Sequence, residues 1–236
     1  MKTKVYPFIF FLMTGLSMIS ARQSDDFVFT IASANNLNRN IESISSNGKV
    51  DLSDIDGSPY ENEAYLVGKA VSKKLNNSKA CFLRYNIYND IIEIKDDNAT
   101  IGLIKSLHIY AIINDIEYHY EDFIDKNNKA KEGYFILLSK GTSINLYLRK
   151  TKTFNKAEKA ESTYYKDKPA KFVDSQSYYF KKHDVLIPFP DKKKELFQLF
   201  PENEHELNRY IKEEKINFKS AEDIKKLFFY LDAVLK

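Results

Sequence analysis

From Phe82 to Leu148 the chain keeps returning to one rhythm: short runs in which every second residue is apolar, separated by polar turn residues. A period of two belongs to a strand with one buried face, because successive side chains point to opposite sides. Leu83, Tyr85 and Ile87 share a face; so do Ile92 and Ile94; Ile116, Tyr118 and Tyr120; and Ile144, Leu146 and Leu148. Asp96-Asp97-Asn98, Asn114-Asp115 and Lys140-Gly141-Thr142 fall between such runs as turns. Thr100 to Leu107, His108 to Ile113 and Tyr134 to Leu138 are further runs. Phe172-Val173, Ser177 to Lys181 and Val185 to Ile187 read as three short strands. Pro188 and Pro190 stop the ladder, since proline has no N–H to donate. Strands that recur at this spacing pair with their neighbours, which predicts an antiparallel β-meander able to curl or partly close. The 17 Phe and 16 Tyr, with no Trp, fit a pleated, half-buried surface.

From Asp191 the period changes to that of a helix. Asp191 stands where it would cap a short helix through Phe200. Pro201 suits a first helical position, and Glu202, Glu204 and Glu206 follow where the helix dipole favours anions. Ser220-Ala221-Glu222-Asp223 has the spacing of a capping box, ahead of Ile224, Leu227, Phe228, Leu231, Val234 and Leu235 on one stripe. The expected fold is therefore α+β: an antiparallel β-sheet over 80–190 and a helical segment over 191–236. Residues 22–79 read as irregular, with one strand at Phe27 to Ile31. Within them, Ala64 to Leu75 fits a helix slightly better than a strand.

The first 21 residues have the order of a signal peptide. Met1-Lys2-Thr3-Lys4 is positive, Val5 to Ile19 is almost wholly apolar or small, and Ser20-Ala21 offers small residues for cleavage. The apolar run is shorter than the roughly 20 residues a membrane-spanning helix needs. Export, to the periplasm or beyond, is the expectation, with no transmembrane segment in the mature chain. Cys81, the single cysteine, lies far from the cleavage region, so a lipid-bearing cysteine is not expected. It allows no intramolecular disulfide and reads as a small hydrophobe in a strand. The formal net charge of +3 falls by two when Lys2 and Lys4 leave with the leader, so no global field attracts nucleic acid.

Five further stretches are Gly57-Ser58-Pro59-Tyr60, Arg84-Tyr85-Asn86-Ile87-Tyr88 with its Ile-Glu-Ile strand, Lys168-Pro169-Ala170-Lys171-Phe172, Tyr178-Tyr179 and the closing Phe218 to Leu235 helix. Together, over roughly residues 57 to 236, they resemble an uncharacterised family of exported proteins of Bacteroidota-type bacteria. The resemblance implies an envelope setting and a shared scaffold, and it brings no activity, cofactor or catalytic residue.

Glu117, His119 and Glu121 alternate along one strand, and an imidazole with two carboxylates has the donors of a divalent metal site. As the outward face of an amphipathic strand, the same residues are simply solvated. Tyr164-Tyr165 and Tyr178-Tyr179 are candidates for an exposed binding platform, because adjacent strand residues face opposite ways and a one-sided sheet cannot bury both. No Gly-x-Ser-x-Gly elbow, phosphate loop or His-Glu-x-x-His helix occurs. The leading expectation is an envelope binding module that meets a protein or glycan through its sheet face or loops, with no catalytic residue and no cofactor. Two others stand beside it: a carrier of an apolar ligand in a lipocalin-like barrel, and a hydrolase of envelope polymers.

Overall fold

The computed structural model describes residues 55–96, 100–160, 166–182 and 184–235. The leader, the Phe27–Ile31 run and Tyr164-Tyr165 lie outside the described residues. Ten strands form one sheet: β1 (Leu66–Ser72), β2 (Asn77–Asn86), β3 (Ile91–Lys95), β4 (Thr100–Gly102), β5 (Ile109–Ile113), β6 (Ile116–Ile124), β7 (Ala130–Lys140), β8 (Asn145–Asn155), β9 (Lys171–Lys182) and β10 (Val185–Pro188). Their spatial order is β10-β9-β8-β7-β6-β5-β1-β2-β3-β4. Two meanders, β1 to β4 and β5 to β10, thus lie side by side and are sewn together by the β1–β5 ladder. The mainly antiparallel meander with C-terminal helices is the fold the alternation predicts.

The sheet branches at β6. Its first half pairs with β5, from Ile113↔Ile116 to Tyr110↔His119, and its far end meets β10 in parallel at Leu186↔Phe123. Because β10 also pairs with β9, strands β6 to β10 close into a five-stranded ring. Phe123, Phe135, Tyr147, Tyr179 and Leu186 fill it, none more than 4% exposed. The Phe123, Phe135 and Tyr179 rings meet edge to face, with centroids 5.0 to 5.6 Å apart.

The opposite face of the sheet carries the main core. Ala70, Leu83, Tyr85, Ile92, Ala111, Tyr118, Tyr134 and Ile136 are buried there, where the two meanders curl toward each other. Leu103 joins this core, and its N–H donates to the Ile92 carbonyl at 2.8 Å, so the β4–β5 link is anchored as it crosses back to the middle of the sheet. Leu138 and Tyr178 then pass the core on to the helices. These are α1 (Lys193–Leu199), a 3-10 turn (Pro201–Asn203), α2 (Glu204–Glu213) and α3 (Ala221–Val234). Their apolar stripes, with Leu196, Leu207, Ile211, Leu227, Phe228 and Leu231, cover Ile144, Leu146 and Phe180. No helix among the described residues is long and apolar enough to cross a membrane.

Ser220 caps α3 as its spacing predicts, its Oγ accepting from the Asp223 N–H at 3.3 Å. At the other end of α3, buried Asp232 accepts from three consecutive backbone N–H groups, those of Thr142, Ser143 and Ile144, at 2.8, 2.7 and 3.0 Å. The last helix is therefore fastened to the β7–β8 turn by a carboxylate that uses both its oxygens. Gly141 makes the approach possible, because a Cβ there would sit 2.5 Å from Asp232 Oδ1.

The structure differs from the sequence expectation at four places. Residues 66–72 form a central strand and not a helix, so the sheet starts before residue 80. β1 is paired on both sides, and Gly68 has no Cβ to strike the Ile112 carbonyl oxygen of β5; two ladders outweigh a weak helical spacing. Strand β8 continues to Asn155 and holds Phe172-Val173 and Ser177 to Lys181 in a single β9, through ten pairs from Leu146↔Phe180 to Asn155↔Lys171. Lys192, not Asp191, precedes α1, and Asp191 bonds elsewhere.

Candidate functional site

The β6–β10 pairing ends at Leu186↔Phe123, and past it the two strands part. β10 ends at Pro188, which still pairs with Tyr179 of β9 but has no N–H to offer toward β6, while β6 turns at Asp125. The gap between them, closed on its third side by α1, is a groove of about 670 Å³, within the usual size of a ligand pocket, roughly 300–1,000 Å³. Ile124, Ile187, Pro188 and Leu199 form its half-buried floor, backed by buried Phe189 and Pro190. Asp125, Lys126, Asp191, Lys192, Glu195 and Gln198 form the rim. An apolar floor with a polar rim is the anatomy of a recognition surface.

Each wall is held differently. The β6–β7 turn is rigid, since Asp125 accepts from the Asn127 and Lys129 N–H groups at 2.8 and 2.9 Å and from Lys131 at 2.7 Å. The Lys131 hydrogen bond, then the Lys129 backbone bond, hold the Asp125 carboxyl down to about 2. The opposite wall is joined to it by the Lys126–Asp191 ion pair at 2.8 Å, which spans the groove mouth. That hydrogen bond also keeps the Asp191 carboxyl below its ordinary range. Both side chains are about half exposed, at 56% and 49%, so the latch stabilises weakly and can open.

Glu117, His119 and Glu121 do share one face of β6, but of the three only Glu117 keeps partial contact with solvent, its side chain 31% exposed. His119 and Glu121 are buried against the outer end of the ring interior. His119 stacks on Tyr110 at 4.8 Å, meets Tyr147 edge on, and donates from Nε2 to Glu117 at 3.0 Å. Burial is the main cause that lowers the His119 pKa. Glu121 is occupied by Lys181 at 2.9 Å. Among the described residues no group of three or more His, Cys, Asp or Glu side chains converges to hold a metal ion.

Tyr178 and Tyr179 do not make an exposed pair. Tyr179 is 4% exposed inside the ring, and Tyr178 packs between the main core and the helices. The premise of a one-sided sheet fails here, because β9 is covered on both faces from Tyr178 to Phe180. Tyr85, Tyr118 and Tyr134 are buried edge to face, and the first two donate to Asp90 and Glu61 at 2.6 and 2.7 Å. Burial first, and then these carboxylates, push both hydroxyl pKa values up. Among the groove residues, Ile187 reads in the sequence as the end of a strand, the two prolines as a stop and Asp191 as a helix cap, none of them as part of a site. Lys126 and Asp191 are 65 positions apart, so no local pattern announces their contact.

No protein-family model, no curated protein and no solved structure matches the chain.

Proposed function

We propose that the protein is an exported, non-enzymatic binding module of the cell envelope, and that its groove takes an extended peptide segment of an envelope partner protein. The groove itself carries this reading: four apolar side chains on the floor between two held walls, with charges only at the rim. A peptide backbone would find the rim donors and acceptors, and alternate side chains would find the floor. A glycan is less well served, because Phe189, the aromatic ring of the groove, is 4% exposed and has no free face for a sugar. The interior of the ring β6 to β10 is occupied by Phe123, Phe135, Tyr147, Tyr179 and Leu186, which favours the groove over the barrel interior.

The test is native mass spectrometry of the mature protein isolated gently from its own envelope fraction, alongside Leu199→Asp in the groove and Phe82→Ser at an exposed apolar position of β2 outside it. A polypeptide that stays with the wild type and with the Phe82→Ser variant, and leaves with Leu199→Asp, supports the groove. A partner retained by Leu199→Asp, or a bare wild-type chain, overturns it.

A further inference from the structure

Away from the groove, two loops meet at one end of the sheet and carry a different chemistry. The β1–β2 turn holds Lys73-Lys74-Leu75-Asn76, and the β4–β5 link runs from Leu103 to His108. They are fastened to each other where the Lys73 N–H donates to the His108 carbonyl at 2.8 Å. Ser72 pairs with both Asn77 and Ile109, so both loops leave the sheet from one rung. Leu75 is 57% exposed and Leu107 45%. Lys73, Lys74 and Lys105 are exposed beside them. The ammonium groups of Lys73 and Lys105 lie over the Tyr110 and Tyr120 rings, at 5.5 and 5.7 Å. Neither loop carries an Asp or Glu of its own; beside Lys105, Glu132 accepts from the Tyr120 hydroxyl at 2.8 Å.

Two protruding leucines inside a collar of lysines match the layering of an anionic bilayer. The apolar tips reach the acyl boundary while the ammonium groups stay at the level of the phosphates. An acidic polysaccharide would satisfy the lysines and leave both leucines in water, so the leucines decide between the two. We propose that this end of the sheet docks the protein on a membrane surface rich in anionic phospholipid. The inference stands without the peptide groove, which uses none of these residues.

Co-sedimentation of the purified mature chain with phosphatidylcholine vesicles, with and without phosphatidylglycerol, tests it. Binding is expected to the phosphatidylglycerol vesicles alone and to weaken as salt rises. Removing both leucines (Leu75→Ser with Leu107→Ser) lowers the partition by about tenfold or more. Reversing the collar (Lys73→Glu, Lys74→Glu and Lys105→Glu together) abolishes it. Leu199→Asp, in the groove, leaves it unchanged. Failure of the folded wild type to bind anionic vesicles overturns the proposal. So does a leucine double variant that binds like the wild type, since charge alone then accounts for the attraction and any polyanion would serve.

Discussion

Single carboxylates do much of the joining in this protein, and Asp232 is the clearest. Its two oxygens serve three N–H groups that belong to a turn distant in sequence. Asp232→Ala leaves those donors facing a buried gap, and a loss of about 2–4 kcal/mol is expected in urea unfolding. Gly141→Ala should lower stability in the same direction, because its new methyl would press on the same carboxylate. His119 gives a pH signature. Burial holds its pKa below the ordinary 6.5, so the unfolded chain takes up the proton first. Its contribution is complete above about pH 6.5 and is lost as pH falls through the lower folded value. Unfolding midpoints measured across that range should decline toward acid, and His119→Phe should flatten that part of the curve. The Lys126–Asp191 latch is the contrasting case. Lys126→Ala should change the unfolding free energy by less than about 1 kcal/mol, since both groups are half in water.

Among the elements, β10 does more than its four residues imply. It closes the ring, and Leu186 is wholly buried within it. Leu186→Ala is expected to cost about 2–5 kcal/mol, and near-ultraviolet circular dichroism should report loosening of the Phe123, Phe135 and Tyr179 cluster. Strands such as β2, β3 and β6 are legible in the sequence, because one face of each meets a core and the alternation is clean. β1 is not, since Val67, Lys69 and Val71 on its outer side blur the pattern and one of its two partners, β5, lies far along the chain. The polar triad of β6 reads as solvated for the same reason: nothing local shows that a parallel contact 63 positions away, Leu186 on Phe123, folds a wall over it. Helix α3 is the reverse case, with cap, stripe and length all local. The groove is the least legible feature, being defined by where two distant strands cease to pair.

At the scale of the whole molecule, two meanders share one continuous core, and the helices seal the end where that core would otherwise meet water. The same arrangement leaves the sheet lopsided. Its β10 end is stitched back onto β6, whereas its other end stops at the three residues of β4. A fibril grows because every subunit offers two edges, one to accept a neighbour and one to offer the next. A sheet whose last strand is folded back onto its own middle has one terminal strand fewer to offer a neighbour, and the three residues of β4 offer little at the other end. Ring closure, described above as a matter of packing, thus also reduces the backbone this sheet presents for assembly.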